Sequence, residues 1–382
     1  MIPLSVPNIS GNEWKYVQEC LDDGWVSYAG GFVERFENEF ANYIGCKHAV
    51  AVTSGTAALH ISLILCGVEQ GDEVLVPNLT FVAPVNTVRY SFANPVFMDS
   101  EWTTLGLDVE KIRDFLEKEC EFKNGFTYNK NTGSRVKAII PMHTLGYPVD
   151  MNPLLEICEK FNIDVIEDAT ESLGSEYMGK KTGNFGKFAC FSFNGNKIMT
   201  TGGGGMITTN DEQLAKRAKH LTTTAKTDPI EYEHDEVAYN YRLTNVSAAI
   251  GVAQLELLDE FVETKRKNLI QYKELIEPND NFYIHTEVEH SKSNYWMYSL
   301  VRKDNCEHSV MDIVRNLADN QIQARPIWKL MNLLPMFNQF QSYQCHVSQE
   351  IYERVVSIPC STNLSEREIE KVADVIKSMQ YK

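Results

Sequence analysis

The sequence predicts an α/β chain: a mostly parallel sheet in a large N-terminal domain, followed by a small C-terminal α+β domain. Three observations lead there. Short apolar runs alternate with segments of helical length through the first half of the chain. Polar groups suited to binding fall at the ends of those runs, where open parallel sheets hold their ligands. A charged helical stretch over 246–269 then divides this region from strand and helix signals of a different order.

Taken in order, residues 12–44 are amphipathic and helical, interrupted by Gly24 and by Gly30-Gly31. Ala49 to Thr53 reads as a strand, and a helix from about Ala57 to Cys66 ends at Gly67. Strands follow at Glu73 to Pro77 and Pro95 to Asp99, then a helix from Asp108 with Val109, Ile112 and Phe115 on one face. Residues 118–135 are rich in Asn, Lys and Gly and read as a surface excursion. Lys137 to Met142 is a strand, Pro153 to Phe161 a helix, and Asp164 to Ile166 a strand ending in Glu167-Asp168. Two apolar runs, Phe188 to Phe193 and Gly205 to Thr209, flank a polar, glycine-rich turn. Beyond the long helix come strands at Tyr295 to Val301 and Ile322 to Arg325, a helix over 309–318, and a terminal helix from Ser365. The expected domains are 1–250 and 251–382.

Bulk composition narrows the function. Hydrophobic residues make up 43% of the 382 positions and charged residues 23%, as in an ordinary globular enzyme. A net charge of −16 argues against nucleic acid or an anionic membrane as partner. Nine cysteines without a CxxC pair point to reduced thiols. Nine histidines without HxxxH or HExxH spacing give no metal site. No apolar run reaches the length of a membrane span, and the N-terminus lacks signal-peptide character, so a cytoplasmic protein is expected.

Lys197 is the only charge between Phe188 and Thr209. A lysine held between two core strands is costly to desolvate, which suits it to act as a Schiff-base nucleophile. A snorkelling lysine on a hairpin is the plainer alternative. Ser54-Gly55-Thr56 closes a strand and opens a helix, a geometry that cradles phosphate but also describes ordinary N-caps. Asp168 ends another strand and could face a protonated ring nitrogen, or merely cap a helix. Ser192, five residues before Lys197, could add a phosphate contact. Phosphate cradle, strand-end aspartate and isolated lysine, in that order, meet the needs of pyridoxal phosphate.

These residues lie in longer motifs. Thr53-Ser-Gly-Thr-Ala-Ala-Leu-His60, Gly71-Asp-Glu-Val-Leu-Val-Pro77, Glu167-Asp-Ala-Thr-Glu-Ser-Leu-Gly174 and Gly183-Asn-Phe-Gly186 precede Phe191-Ser-Phe-Asn-Gly-Asn-Lys-Ile-Met-Thr-Thr-Gly-Gly-Gly-Gly-Met206 and Tyr239-Asn-Tyr-Arg-Leu-Thr-Asn245. Together they resemble the DegT/StrS family of nucleotide-sugar aminotransferases, from Ile2-Pro-Leu4 to Ser357-Ile-Pro-Cys360. The resemblance implies the fold-type-I architecture of pyridoxal 5'-phosphate enzymes and a homodimer with shared active sites. It implies Lys197 as the covalent and catalytic lysine, Asp168 as partner of the ring nitrogen, and Gly55, Thr56 and Ser192 around the phosphate. By the same matching, Phe81 would stack on the ring, unless it is simple core. Glu171 would lie near the ring hydroxyl, and Asn240 would reach the partner subunit's phosphate group. Arg242, Arg325 and Lys329 are candidates for diphosphate or carboxylate contacts, or plain surface charges.

One departure stands out: many members carry Gly-Glu-Gly-Gly after the lysine, whereas here Gly203 takes the place of that glutamate. Gly202 to Gly205, the insert from Phe122 to Gly133 and the stretch from Thr224 to Glu236 look most like the legionaminic-acid branch, with perosamine synthases as the nearer relatives outside it. The implied reaction moves the amino group of L-glutamate to C4 of a nucleotide-linked 4-keto-6-deoxyhexose, with a 2-acetamido group expected, for bacterial surface glycan. Two rivals are a pyridoxal-dependent sugar dehydratase, which Lys197 opposes because such members carry histidine there, and a cofactor-binding regulator without turnover.

Overall fold

Eight strands pair into the large sheet: seven follow the alternating pattern, and the eighth, Ser342–Tyr343, is absent from the sequence reading. In the computed structural model, which describes residues 1–228 and 230–379, the large sheet runs in the order His48–Val52, Gly205–Thr209, Phe188–Ser192, Asp164–Asp168, Val136–Ile139, Glu73–Pro77, Asn94–Met98, Ser342–Tyr343. Gly205–Thr209 opposes both of its neighbours. Every other pairing is parallel.

Helices cover both faces, so the strands are continuous apolar runs and not half-polar ones. Val74, Val76, Ile166, Phe188, Cys190 and Ile207 share a cluster with the helix Gly55–Leu65. On the other face, Leu75, Ile139 and Val165 pack with the helices Val109–Lys118 and Met151–Lys160. Ala51, Ala189, Phe191 and Met206 lie against the helices Gly31–Ile44 and Asn245–Glu256. Within that last cluster Phe40 meets Phe191 edge-on at 5.0 Å, and Phe36 sits 5.3 Å from Phe193. Such pairs add about 0.5–1.5 kcal/mol beyond burial, and these two anchor the strand that leads to Lys197.

The small domain is a four-stranded antiparallel sheet, Phe282–Ile284, Tyr298–Arg302, Val355–Ile358, Arg325–Pro326. Helices Leu258–Ile276, Val310–Asp319 and Glu366–Ser378 pack on it. Its outer strand Phe282–Ile284 and the strand Val355–Ile358 are absent from the sequence reading. So are the helices Val82–Tyr90, Glu212–Thr222 and His346–Arg354.

One expectation needs correction, and one surface segment carries a strand pair that the sequence reading lacks. The helix placed at 246–269 is two helices, Asn245–Glu256 and Leu258–Ile276, which part at Leu257 (φ −108°, ψ 0°). The first is buried nearly all round, with Ala248, Ala249, Gly251 and Ala253 inside, and the second is half-exposed. The surface excursion at 118–135 is a hairpin, Cys120–Lys123 paired with Phe126–Asn129. Asn124 and Gly125 both take positive φ (55° and 82°), the conformation that Asn-Gly tolerates in a two-residue hairpin turn. Its Asn129 is buried and donates to Glu73 Oε2 at 2.8 Å.

Candidate active site

The crest of the sheet closes around one cavity of about 270 Å³. Gly55, Thr56, Phe81, Asp168, Glu171, Ser192 and Lys197 all line it. These come from four separate strand ends, so the fold gathers what the sequence scatters.

The helix start is built tightly. Ser54 is extended (φ −169°, ψ 161°), and its hydroxyl accepts the Ala57 amide at 3.0 Å. The amides ahead of that turn have no intrahelical carbonyl to bind, and the helix dipole adds partial positive charge there. A Cβ on Gly55 would lie 2.9 Å from Ser192 Cβ and 3.0 Å from Thr170 Cγ2. Glycine therefore lets the helix start touch the strand end that carries Ser192.

Lys197 sits in the connection between Phe188–Ser192 and Gly205–Thr209. Its side chain is only 12% exposed. The Nζ atom lies 3.4 Å from Glu171 Oε1 and 3.9 Å from the centroid of the Trp296 ring. The ammonium is thus packed between an acid and an indole face, and a snorkelling side chain is excluded.

Asp168 is 1% exposed, and burial raises its proton affinity while the Thr170 hydrogen bonds and the Lys197 charge pull the other way. Its Oδ1 accepts the Thr170 amide at 3.1 Å. Behind it, His143 Nδ1 accepts the Val149 amide at 3.1 Å, so its proton resides on Nε2, 3.2 Å from Glu167 Oε2. Glu167 also accepts the amides of Gly183, Phe185 and Gly186 at 2.6–2.8 Å. This buried His143–Glu167 pair, unnoticed in the sequence, fixes the loop beside the Asp168 strand.

Glu171 joins the two halves of the site. Its Oε2 accepts the amide of Leu145 at 2.9 Å, and Leu145 holds a left-handed backbone (φ 54°) in doing so. Burial lifts its carboxyl to about 7, against the pull of Lys197 and of the Leu145 amide. Between its ordinary value of 4.5 and about 7, the folded protein keeps a proton that the unfolded chain has released. The contribution to stability is therefore full below about pH 4.5 and is lost as pH rises through about 7. In cofactor-free protein, the thermal midpoint of Glu171→Gln relative to the parent is expected to shift in the variant's favour between about pH 5 and 8. A midpoint difference that stays flat across that range would contradict the assignment.

Phe81 is 52% exposed at the cavity wall, which rules out a core role. Asn240, Arg242, Arg325 and Lys329 do not line this cavity. Asn240 is exposed, and its Oδ1 accepts Arg242 Nε at 2.9 Å. The Arg242 guanidinium lies 3.6 Å from the Tyr28 ring centroid. Arg325 pairs with Ser357 in the small sheet and is exposed, as is Lys329.

The sequence reading missed the far wall. Trp296 and Trp328 of the small domain line the cavity, with Asn194 and Asn196 of the lysine hairpin. Trp296 Nε1 donates to the Asn196 carbonyl at 2.8 Å, and its amide donates to Asn294 Oδ1 at 2.9 Å. Asn294 Nδ2 in turn donates to the carbonyls of Glu171 and Leu173. Only the density of aromatic residues around 295–298 hinted at this wall.

The arrangement fits pyridoxal phosphate on its own chemistry. It offers an amine for an aldehyde, a buried carboxylate short of partners for a ring nitrogen, and a helix start with hydroxyls for a phosphate. The profile of the DegT/DnrJ/EryC1/StrS aminotransferase family matches residues 7–377. EpsN of Bacillus subtilis (strain 168) is 38% identical over 98% of this chain and 95% of its own. The GDP-perosamine synthase of Escherichia coli O157:H7 is 36% identical over 98% of this chain and 97% of its own. Among solved structures, the aminotransferase TlmJ from Streptoalloteichus hindustanus superimposes with a TM-score of 0.89 at 26% identity, covering 99% of this chain and 98% of that one.

Proposed function

This chain belongs to the DegT/DnrJ/EryC1/StrS aminotransferase family, pyridoxal-phosphate-dependent enzymes of sugar metabolism, and from that premise we propose its substrate and the roles of its residues. The reaction is transfer of the amino group of L-glutamate to C4 of a nucleotide-linked 4-keto-6-deoxyhexose bearing a 2-acetamido group, as in the legionaminic-acid branch. The observation that supports the amino transfer is the meeting of Lys197, Asp168 and the Ser54–Thr56 helix start around one cavity, while the sugar is read from the resemblance of the sequence motifs.

When bound, the cofactor supplies an electrophilic aldehyde carbon and a ring that accepts the electron pair left at an α-carbon. Lys197 would hold the cofactor and move the proton lost by the amino donor. Asp168 would keep a proton on the ring nitrogen. Gly55, Thr56 and Ser192 would bind the phosphate, Phe81 would cover one ring face, and Trp296 would shield Lys197 from water.

A GDP-linked sugar without the acetamido group is the second reading, favoured by the likeness to GDP-perosamine synthases. Turnover of UDP-, GDP- and dTDP-linked 4-ketosugars, read as 2-oxoglutarate release, separates the two. Faster turnover of 3-ketosugars or of simple α-keto acids would overturn both.

Asn240 fits a role in the partner subunit's site, since it is exposed and lies off its own cavity. Mixing Lys197→Ala and Asn240→Ala proteins is then expected to restore activity. In a shared-site hybrid dimer, one site carries both lesions and the other carries neither. If subunit exchange is demonstrated and activity stays absent, the shared site is wrong. No helix among the described residues is long and apolar enough to cross a membrane.

A further inference from the structure

Two groups flank the Lys197 ammonium, Glu171 from the large domain and Trp296 from the small one. Both are tied to a single residue, Asn294, which is fully buried. Its Nδ2 donates to the Glu171 carbonyl at 3.0 Å and to the Leu173 carbonyl at 2.9 Å, and its Oδ1 accepts the Trp296 amide at 2.9 Å. Both amide hydrogens and the oxygen are thereby used, and the partners permit only one orientation of the group.

Asn294 also reaches the other end of Glu171. Its backbone amide donates to Ser175 Oγ at 2.9 Å, and that hydroxyl donates to the Gly146 carbonyl at 2.8 Å. A second hydroxyl, Ser293 Oγ, donates to the same carbonyl at 2.9 Å. Gly146 follows Leu145, whose amide binds the Glu171 carboxylate. A Cβ on Gly146 (φ +99°) would lie 2.1 Å from Asn294 Oδ1, so glycine lets this turn press onto the asparagine. The main chain and the carboxylate of Glu171, and the main chain of Trp296, are thus all referred to one buried residue. Ser175, Ser293 and Asn294 have no exposed surface, so nothing outside the chain can complete or displace these bonds.

The position in the chain matters as well. Just before Asn294, Ser291–Lys292 pairs with Glu176–Tyr177 of the large domain; just after it, Tyr298–Arg302 enters the small sheet. Asn294 therefore stands where the chain crosses between the domains that supply the two flanks of Lys197.

We propose that Asn294 is a positioning residue for amino transfer, setting the places of Glu171 and Trp296 on either side of Lys197. This rests on the reading of Lys197 as the catalytic lysine. A misplacement of about 1 Å at a reacting group costs roughly 10²-fold in rate, so a residue that fixes both flanks acts on the rate without touching substrate.

The test reads geometry and rate separately. In cofactor-free protein labelled with ¹³C at the lysine Cε atoms, the Lys197 signal is identified by its loss in Lys197→Ala. The ring current of Trp296 should displace it, since Nζ lies 3.9 Å from the ring centroid. Asn294→Ala is expected to return this signal toward those of exposed lysines. In the holoenzyme it is expected to slow the glutamate half-reaction by about 10²-fold at nearly unchanged KM. If Asn294→Ala does not fold, Asn294→Asp answers in its place: it keeps the side-chain size and an oxygen for the Trp296 amide, and loses at least one donation to Glu171 and Leu173. There the displacement should survive while the half-reaction still slows, and a parent-like rate would overturn the proposal. Thr127→Ala, which removes a buried hydrogen bond to the Phe161 carbonyl in the hairpin at 120–129, controls for stability. It should lower the thermal midpoint and leave the lysine signal and the rate as in the parent. An unmoved signal with a parent-like rate in Asn294→Ala overturns the proposal. So does a Thr127→Ala variant that shifts both, because the effect would then follow from lost stability alone. The signal is read without cofactor or substrate, so it decides the placement of Lys197 separately from any borohydride label that tests its function.

Discussion

Lys197→Ala is expected to abolish turnover, lowering kcat by about four orders of magnitude or more. General acid/base catalysis alone accounts for roughly 10²–10⁴-fold, and on the proposed reading this lysine would also hold the cofactor. No other lysine among those described lines the cavity. Lys265, which also reaches Trp296, is buried and bound to the carbonyls of Trp296 and Cys360 at 2.9 and 2.6 Å. The measurement is borohydride reduction of the parent holoenzyme followed by peptide mapping, beside single-turnover kinetics of the variant with L-glutamate. A label on any lysine but Lys197 would sink the assignment. Alanine leaves the hairpin backbone intact but removes the positive partner of Glu171, so the visible spectrum and the thermal midpoint should be recorded together.

The second large effect is at Asp168. Asp168→Asn is expected to keep the fold and most of the cofactor and to lose roughly 10²–10³ in the rate of proton transfer, as when one preorganised electrostatic group is removed. Asparagine keeps an oxygen for the Thr170 amide, so the strand end need not move. It cannot hold a proton on a ring nitrogen by its charge. Because burial already disfavours the Asp168 carboxylate, the cofactor-free variant should be no less stable than the parent. Near-normal half-reaction kinetics would mean that Asp168 does not serve the ring nitrogen; a large stability loss would mean that its role is structural.

The near wall of the site was legible for a physical reason. Asp168, Ser192 and Ser54 all close strands, and a parallel sheet brings strand ends to one crest whatever their separation in sequence. The far wall had no such rule. Trp296 reaches Lys197 through packing of two domains, and nothing in the run Asn294-Tyr-Trp-Met297 marks one ring as cavity-facing. Leu257 ends a helix although leucine is a good helix former, so the break at 257 carries no local signal. The hairpin at 120–129 is different: Asn124-Gly125 was a readable turn, obscured by the polar residues around it. Arg242 shows the limit for charges, since its stacking on Tyr28 depends on a residue more than two hundred positions away.

The reversed strand Gly205–Thr209 orders events in the life of each chain. His48–Val52 emerges early in synthesis, yet its sheet partner is Gly205–Thr209, and residue 48 waits for residue 209. Pairings of such long range are slow to form. The backbone of Ser54 packs on Gly205, so the turn proposed to bind phosphate takes its shape only when that late strand inserts. The loop bearing Lys197 is enclosed between its two strands by the insertion of that same strand. A nascent chain thus passes from having neither anchor nor cradle to having both in one step, and truncated products ending before residue 205 should capture no cofactor at all.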